Sequence, residues 1–277
     1  MNMPPDPYGY PDGMSQPPLV QGNGRADIGA AVKYGFNTTF KELGTWLLFS
    51  VLYFMFTLGV TAIFSLVINF AVMSMDVGTE AVSAEIVSFL SNLVSGLCSV
   101  IGSVFLINAA LQRVGGVMPT LESAFKNANI KTAILAGFMV SLMTFVIVLP
   151  STISKINSSS EVPNLADPAA VAAIDLTWLW FLGAELIVLV LLAPLLLYPI
   201  YCALDGNSSA VDSIRQAVKL GMKHYPALLL LMIVMTLIVV AGLLVCCIGM
   251  VFSIPINVLV STHVFRQITG GKHEQVV

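Results

Sequence analysis

The chain has 277 residues, of which 57% are hydrophobic and only 10% are charged. A soluble domain needs roughly 25% charged residues to cover its surface. The composition therefore excludes an ordinary soluble protein and indicates a chain surrounded mostly by lipid. The formal net charge of -3 does not favour nucleic-acid binding, and the four cysteines, all in apolar stretches, indicate neither a disulfide framework nor a zinc site.

The first 24 residues, MNMPPDPYGYPDGMSQPPLVQGNG, differ from the rest of the chain in composition. They lack the basic and apolar regions of a signal peptide. Proline, glycine, tyrosine and polar residues cannot bury enough apolar surface to offset the ordering of the backbone. We therefore predict a disordered tail over residues 1–24.

Hydropathy predicts the membrane spans, since a spanning helix needs about 20 consecutive, mostly apolar residues. Four stretches of this kind each predict one span: 46–73, 86–111, 132–149 and 176–204. A longer run, 226–265, predicts two spans joined by a tight hairpin near residues 245–250. The sequence thus predicts an all-α polytopic membrane protein with six transmembrane helices within residues 25–268, followed by a tail over 269–277.

The distribution of basic residues predicts the orientation, because Lys and Arg are retained on the cytoplasmic side. All but one of the 12 basic residues precede the first span or follow an even-numbered span. The exception, Lys155, lies on the opposite side with a set of acidic residues: Asp76, Glu80, Glu85, Glu161, Asp167 and Asp175. We therefore predict that both termini are cytoplasmic and that the external loops are acidic.

Three basic segments, each amphipathic and each leading into a span, align at one spacing. Ala31, Ala124 and Ala217 are separated by 93 residues in both steps. A fixed period of this kind is the signature of duplicated units, although any cytoplasmic segment before a span tends to be amphipathic. We predict three repeats, about 26–111, 119–204 and 212–266, each consisting of an interfacial helix and a two-helix hairpin.

The aligned segments carry further shared features. A small residue at positions 35, 128 and 221 would allow close approach of two backbones. A lysine follows the aligned alanine by two residues in every segment and would point toward lipid phosphates. The tentative lipid-headgroup contacts are Lys33, Lys126, Lys219 and Lys223.

Glu185 is the ionisable residue placed well inside a predicted span. A charge there costs roughly 2.5–3.5 kcal/mol and marks a candidate proton or substrate pathway. The alternative is a carboxyl group that is neutral or hydrogen-bonded to a neighbouring helix. With Asn108 and Asn257 it forms a tentative intramembrane polar site, although asparagines in spans commonly serve as interhelical hydrogen-bond groups. We predict no catalytic residue, metal site or cofactor, and expect kinks at Pro194, Pro199 and Pro255.

Several stretches together resemble a known family: the Pro/Gly/Tyr tail, the AVKYG segment at 31–35, DGNSSAVDSIRQAVKLGMKHYPALLLL and the closing VFRQITG. They are similar to the proline- and glycine-rich transmembrane proteins of actinobacteria, and through them to the uncharacterised YciC-like six-helix membrane proteins of bacteria. The resemblance implies a multi-pass protein of the bacterial plasma membrane. It implies no activity and no catalytic residue.

Two functions of different kinds are compatible with these features. The first is a non-enzymatic scaffold or accessory subunit of an envelope-assembly or respiratory complex, which would bind the lipid bilayer and a membrane-protein partner or a second copy. The second is a transporter of a small solute or lipid that uses Glu185. Transporters commonly contain repeats, although usually with broken helices at the membrane midplane.

Overall fold

The computed structural model describes residues 18–75, 80–159, 177–206, 208–244 and 248–274. Among these residues, six helices are long and apolar enough to cross a membrane, so the prediction of an all-α polytopic protein is confirmed. The elements in chain order are β1 (Leu19–Gln21), α1 (Ile28–Lys41), α2 (Leu43–Met75), α3 (Glu80–Val114), α4 (Leu121–Phe125), α5 (Ile130–Ser159), α6 (Thr177–Leu196), α7 (Pro199–Asp205), α8 (Ala210–Lys223), α9 (Tyr225–Leu244), α10 (Ile248–Thr269) and β2 (Lys272–Glu274).

The fourth span differs from its prediction because it consists of two helices. Helix α6 ends at Leu196, and α7 begins at Pro199. A proline lacks a backbone N–H and fits the first turn of a helix, where that donor is not needed. Pro194 and Pro255 instead lie within α6 and α10. Of the predicted external segments, residues 76–79 and 160–176 fall outside the described residues, as does the tip of the last hairpin, whereas Glu80 and Glu85 lie in α3 and Lys155 lies in α5.

A short two-stranded sheet joins the two ends of the described chain. Strand β1 pairs antiparallel with β2, with Leu19 opposite Glu274. The prediction of disorder is wrong for residues 19–21, because their partner strand lies too far along the chain for local composition to reveal it. Gly270, at φ 75°, makes the turn out of α10, and the N–H of Gly271 bonds the carbonyl of Arg266 at 2.9 Å. The prediction for residues 1–17 lies outside the described residues.

The described residues belong to two compact units. Unit 1 takes its described residues from Met1–Phe54, Ile101–Gly137 and Pro194–Val277, and unit 2 from Met55–Val100 and Phe138–Ala193. Unit 1 contains a hydrophobic core that includes the fully buried side chains of Trp46, Val114 and Leu259.

The three segments predicted to precede spans all contain a helix in unit 1. Each helix begins with a side-chain cap, from Asp27, Thr120 and Ser209 respectively, which satisfies a backbone N–H in the first turn. Helices α1 and α8 each have 14 residues, whereas α4 has 5. The aligned alanines are all buried and the aligned lysines are all exposed.

Each of these helices packs on the second span of the preceding predicted repeat. Helix α1 lies on α10, where a Cβ at Gly35 would come within 2.6 Å of Val260 Cγ2. Helix α4 lies on α3, with the rings of Phe105 and Phe125 4.2 Å apart. Helix α8 lies on α6, where a Cβ at Gly221 would come within 2.8 Å of the Leu195 Cα atom. The three contacts follow one cyclic order.

Three duplicated units would produce this cyclic order. The middle segment departs from the pattern because α4 ends at Phe125, so that Ala128 lies beyond the helix and is exposed. The close approach expected from the small residues is present at Gly35 and Gly221, and for Ala128 it stays a prediction. The duplication itself stays a prediction.

Candidate functional sites

Glu185, the predicted intramembrane carboxylate, is buried in unit 2 with 7% of its surface exposed. Its Oε1 accepts a hydrogen bond from the backbone N–H of Ser151 at 2.8 Å, and its Oε2 lies 2.5 Å from the Ser151 hydroxyl. Pro150 precedes Ser151 inside α5, and a proline disturbs the hydrogen bonds of the turn around it. Glu185 thus satisfies a backbone donor beside the proline, as the hydrogen-bonded alternative expected.

A cavity of about 360 Å³ within unit 2 is lined in part by Ser151, the hydrogen-bond partner of Glu185. Its polar lining comes from α3, α5 and the start of α6: Ser88, Asn92, Ser151, Thr152 and Trp178. Aromatic and aliphatic side chains line the remainder, including the contacting rings of Phe89 and Phe145, 4.8 Å apart. A mostly apolar cavity with a few polar groups is the usual form of a small-molecule site.

The two asparagines of the tentative polar site lie in unit 1, so the described structure does not group them with Glu185. Asn108 is buried, and its Nδ2 donates to the carbonyl of Ala124 at 2.8 Å while its Oδ1 accepts from Asn127 at 2.9 Å. It acts as an interhelical hydrogen-bond group. Asn257 is also buried, and its Oδ1 has no hydrogen-bond partner among the described residues.

The four lysines predicted to contact lipid phosphates are all exposed in unit 1. They are Lys33, Lys126, Lys219 and Lys223. Lys126 forms an ion pair with Glu122 one helical turn before it, which reduces the positive charge that it offers to a headgroup. The exposure of these residues permits the predicted contacts, which stay predictions.

Arg113 is the centre of an ionic cluster in unit 1 that we did not predict. Its Nε donates to Glu42 Oε1 at 2.7 Å and its Nη2 lies 2.7 Å from the same oxygen, while its Nη1 bonds Glu274 Oε1. The three side chains are between 5% and 9% exposed. Trp46 Nε1 donates to Glu42 Oε2 at 3.3 Å. The ionic cluster, Glu42, Arg113 and Glu274, therefore fastens β2 to the ends of α1 and α3.

His263 and Gln267, on α10, extend this cluster. Gln267 Oε1 accepts from the backbone N–H of Asp27 at 2.8 Å, which leaves its amide nitrogen to donate to His263 Nδ1 at 3.1 Å. His263 Nε2 consequently carries the proton and donates to the carbonyl of Glu274 at 3.1 Å. Tyr34 stacks on the imidazole at 4.7 Å, and burial raises the pKa of its phenol well above the ordinary value. Every described polar group here binds another part of the chain, which is the pattern of a structural clamp.

Sequence reasoning missed the ionic cluster because its members are distant and individually ordinary. Glu42 and Glu274 lie 71 and 161 residues from Arg113, and each was placed on a basic cytoplasmic side where solvated charges are expected. One signal was present. Glu42 directly precedes one span and Arg113 falls in the last turn of another, so opposite charges meet the edge of the hydrocarbon on the same predicted side.

The chain matches no protein-family model, and no curated protein or solved structure is detectably similar to it. The resemblance to the actinobacterial proteins therefore stays a prediction, and the functional argument depends on geometry. Among the described residues, no group of three or more His, Cys, Asp or Glu side chains is placed to hold a metal ion.

Proposed function

We propose that this chain is a non-enzymatic scaffold or accessory subunit of a bacterial plasma-membrane complex, of the envelope-assembly or respiratory type. In this function the N-terminal segment, residues 1–17, binds a partner protein and the spans hold that segment at a fixed point. The observation that carries the proposal is the pairing of β1, the element that directly follows this segment, with β2, which a buried ion pair joins to the end of α3.

The attachment is a continuous series of contacts. β1 pairs with β2, and beyond β1 the backbone N–H of Gly22 donates to Gly271 and that of Gly24 to Gln267, both at 3.0 Å. Glu274, in β2, is bound by Arg113 in the last turn of α3. The ion pair that holds β2 is buried and costly to break, and β1 is joined to β2 by backbone hydrogen bonds.

The distribution of Lys and Arg supports a cytoplasmic location for the sheet of β1 and β2. The exposed lysines of α1 and α8 lie on the same predicted side and suit anionic headgroups. Assignment to the bacterial plasma membrane depends on the resemblance drawn from the sequence motifs. A segment rich in proline, glycine and tyrosine is suited to binding a partner in extended form.

Co-purification tests the proposal. The full chain, expressed at its native level, is extracted in a mild detergent beside a variant that lacks residues 2–17 and a variant in which those residues are present in scrambled order. We expect quantitative mass spectrometry to find a stable partner with the full chain and to lose it with both variants. A full chain that purifies alone, or a partner retained by both variants, contradicts the proposal.

A further inference from the structure

Charge is distributed unevenly between the two units. Over the sequence ranges of unit 1 there are 11 basic and eight acidic residues, whereas those of unit 2 contain one lysine, Lys155, and seven acidic residues. The surplus of positive charge therefore belongs to unit 1. Helix α8, the interfacial helix of the third predicted repeat, arranges part of this charge in a regular pattern.

Two faces of α8 differ in size, polarity and exposure. One face is buried and consists of small residues at intervals of four: Ser213, Ala217 and Gly221. The other is exposed and basic, with the same interval: Arg215, Lys219 and Lys223. Because residues four apart are neighbours on the surface of a helix, the three basic side chains form a continuous line, which we call the basic row.

The basic row has a positive charge that its neighbours along α8 do not cancel. Arg215 Nη1 lies 3.6 Å from Asp212 Oδ1. Lys219 and Lys223, however, have no acidic residue within four positions in the sequence. The aligned Lys126 of α4, by contrast, pairs with Glu122. Two lysine charges of the basic row are thus available to an anion outside the helix.

The basic row ends where a membrane span begins. Helix α8 ends at Lys223, and the span formed by α9 begins at Tyr225. At a rise of about 1.5 Å per residue, Lys219 lies about 9 Å before the start of this apolar segment and Lys223 about 3 Å before it. The headgroup region extends about 5–8 Å beyond the hydrocarbon on each side of a bilayer. Both lysines can therefore reach lipid phosphates.

A line of exposed apolar side chains adjoins the basic row. Val211 is 44% and Met222 60% exposed, and Val218 is partly exposed. At about 100° per residue, all three fall within about 60° of Arg215, on the side away from Lys223. A helix that lies in the membrane interface places apolar side chains among the acyl chains and basic ones at the headgroups. The exposed surface of α8 has both parts of this arrangement.

We propose that the exposed surface of α8 is a docking surface for anionic phospholipid. The basic row binds the lipid phosphates, and Val211 and Met222 lie among the upper parts of the acyl chains. A zwitterionic phospholipid offers the same phosphate together with a compensating cation, so the basic row distinguishes the two lipids by net charge. This docking surface goes beyond the scaffold function and does not depend on residues 1–17.

Photo-crosslinking tests the docking surface with the full chain in phosphatidylcholine vesicles at low salt. One sample contains a trace of photoreactive phosphatidylglycerol and the other a trace of photoreactive phosphatidylcholine, with the same reactive group near the glycerol end of one acyl chain. Each basic residue near an anionic lipid contributes about fivefold to binding. For two lysines we therefore expect the anionic probe to label the peptide that covers 211–225 about 25-fold more strongly. Equal labelling, which would leave this surface to an acidic protein, or no labelling by either probe overturns the proposal.

Variants separate the basic row from a general attraction of the protein for anionic lipid. Lys219→Gln combined with Lys223→Gln should lower the labelling ratio to near one, whereas Lys219→Arg combined with Lys223→Arg should keep it. Arg25→Gln combined with Lys272→Gln is the matched control, because it removes two exposed charges of unit 1 outside α8 and should keep most of the ratio. The proposal is overturned by an undiminished ratio in the glutamine variant of α8, by an equal fall in the control, or by loss of the ratio in the arginine variant.

Discussion

The ionic cluster makes a quantitative prediction for Arg113→Met. The substitution keeps most of the buried volume but leaves Glu42 and Glu274 without their counter-ion, in side chains only 9% and 6% exposed. Removing one partner of a buried ion pair costs about 3–5 kcal/mol. Because two carboxylates lose the same partner, we expect a loss of about 4–5 kcal/mol, which lowers the folded-to-unfolded ratio by about three orders of magnitude.

Two further variants determine whether charge causes this loss. Glu274→Gln leaves the balanced pair of Arg113 and Glu42 and should cost only about 1 kcal/mol, the value of one ordinary hydrogen bond. The triple variant, which adds Glu42→Gln and Glu274→Gln to Arg113→Met, removes every charge of the cluster. It should recover most of the stability, since replacing a whole buried ionic group with neutral residues is often nearly neutral.

Denaturant titration in detergent micelles, followed by circular dichroism, measures these differences. Arg215→Met is the control, because the Arg215 side chain is 73% exposed and its ion pair with Asp212 is at the surface; exposed pairs contribute about 0–1 kcal/mol. The reasoning is refuted if Arg113→Met destabilises the protein no more than Glu274→Gln. It is equally refuted if the triple variant is as unstable as Arg113→Met alone.

Three more predictions concern packing, a buried acceptor and pH. Gly221→Ala should lower the unfolding free energy by about 1–3 kcal/mol, because its Cβ meets backbone atoms at 2.8 Å. Gly59→Ala should not lower it, because a Cβ there meets no atom within 4 Å. Equal shifts of the thermal midpoint in the two variants contradict this prediction. Glu185→Leu leaves the Ser151 N–H without its acceptor and should cost about 1–3 kcal/mol, whereas Glu185→Gln, which keeps an acceptor, should unfold close to the wild-type temperature. Burial and the adjacent lysine lower the pKa of His224. Its contribution to stability is therefore present above its unfolded pKa of about 6.5 and is lost as the pH falls below that value. The thermal midpoint of His224→Asn should vary less between pH 8 and 5.5 than that of the wild type, and an equal variation in both proteins counts against this role of His224.

The spans were predictable because lipid imposes a strong requirement. A segment without water must satisfy its backbone groups internally, so long apolar runs such as α2 and α9 have one stable conformation. At Pro199 the sequence predicted a kink, whereas the structure has two separate helices, one that ends at Leu196 and one that begins at Pro199. Only the extent of this break depends on tertiary packing.

The candidate sites were less predictable, since they depend on pairings between distant segments. Glu185 was predicted as a site residue because a carboxylate in a span is rare, but the sequence does not distinguish its partner Ser151 from the other serines. The buried ion pairs of Arg113 were not predicted, because an arginine at the end of a span is common. Arg113 is covered in part by β2, a three-residue strand that pairs with β1 near the other end of the described chain. Local composition does not predict a pairing between segments so far apart.

The contact between α1 and α10 has a consequence for biosynthesis. Helix α1 leaves the ribosome first among the helices described, yet the residues that Gly35 packs against, Ile256 and Val260, are among the last to be translated. Until then α1 lacks the helix on which it packs. A chain that ends before α10 therefore leaves the face of α1 around Gly35 without its packing partner.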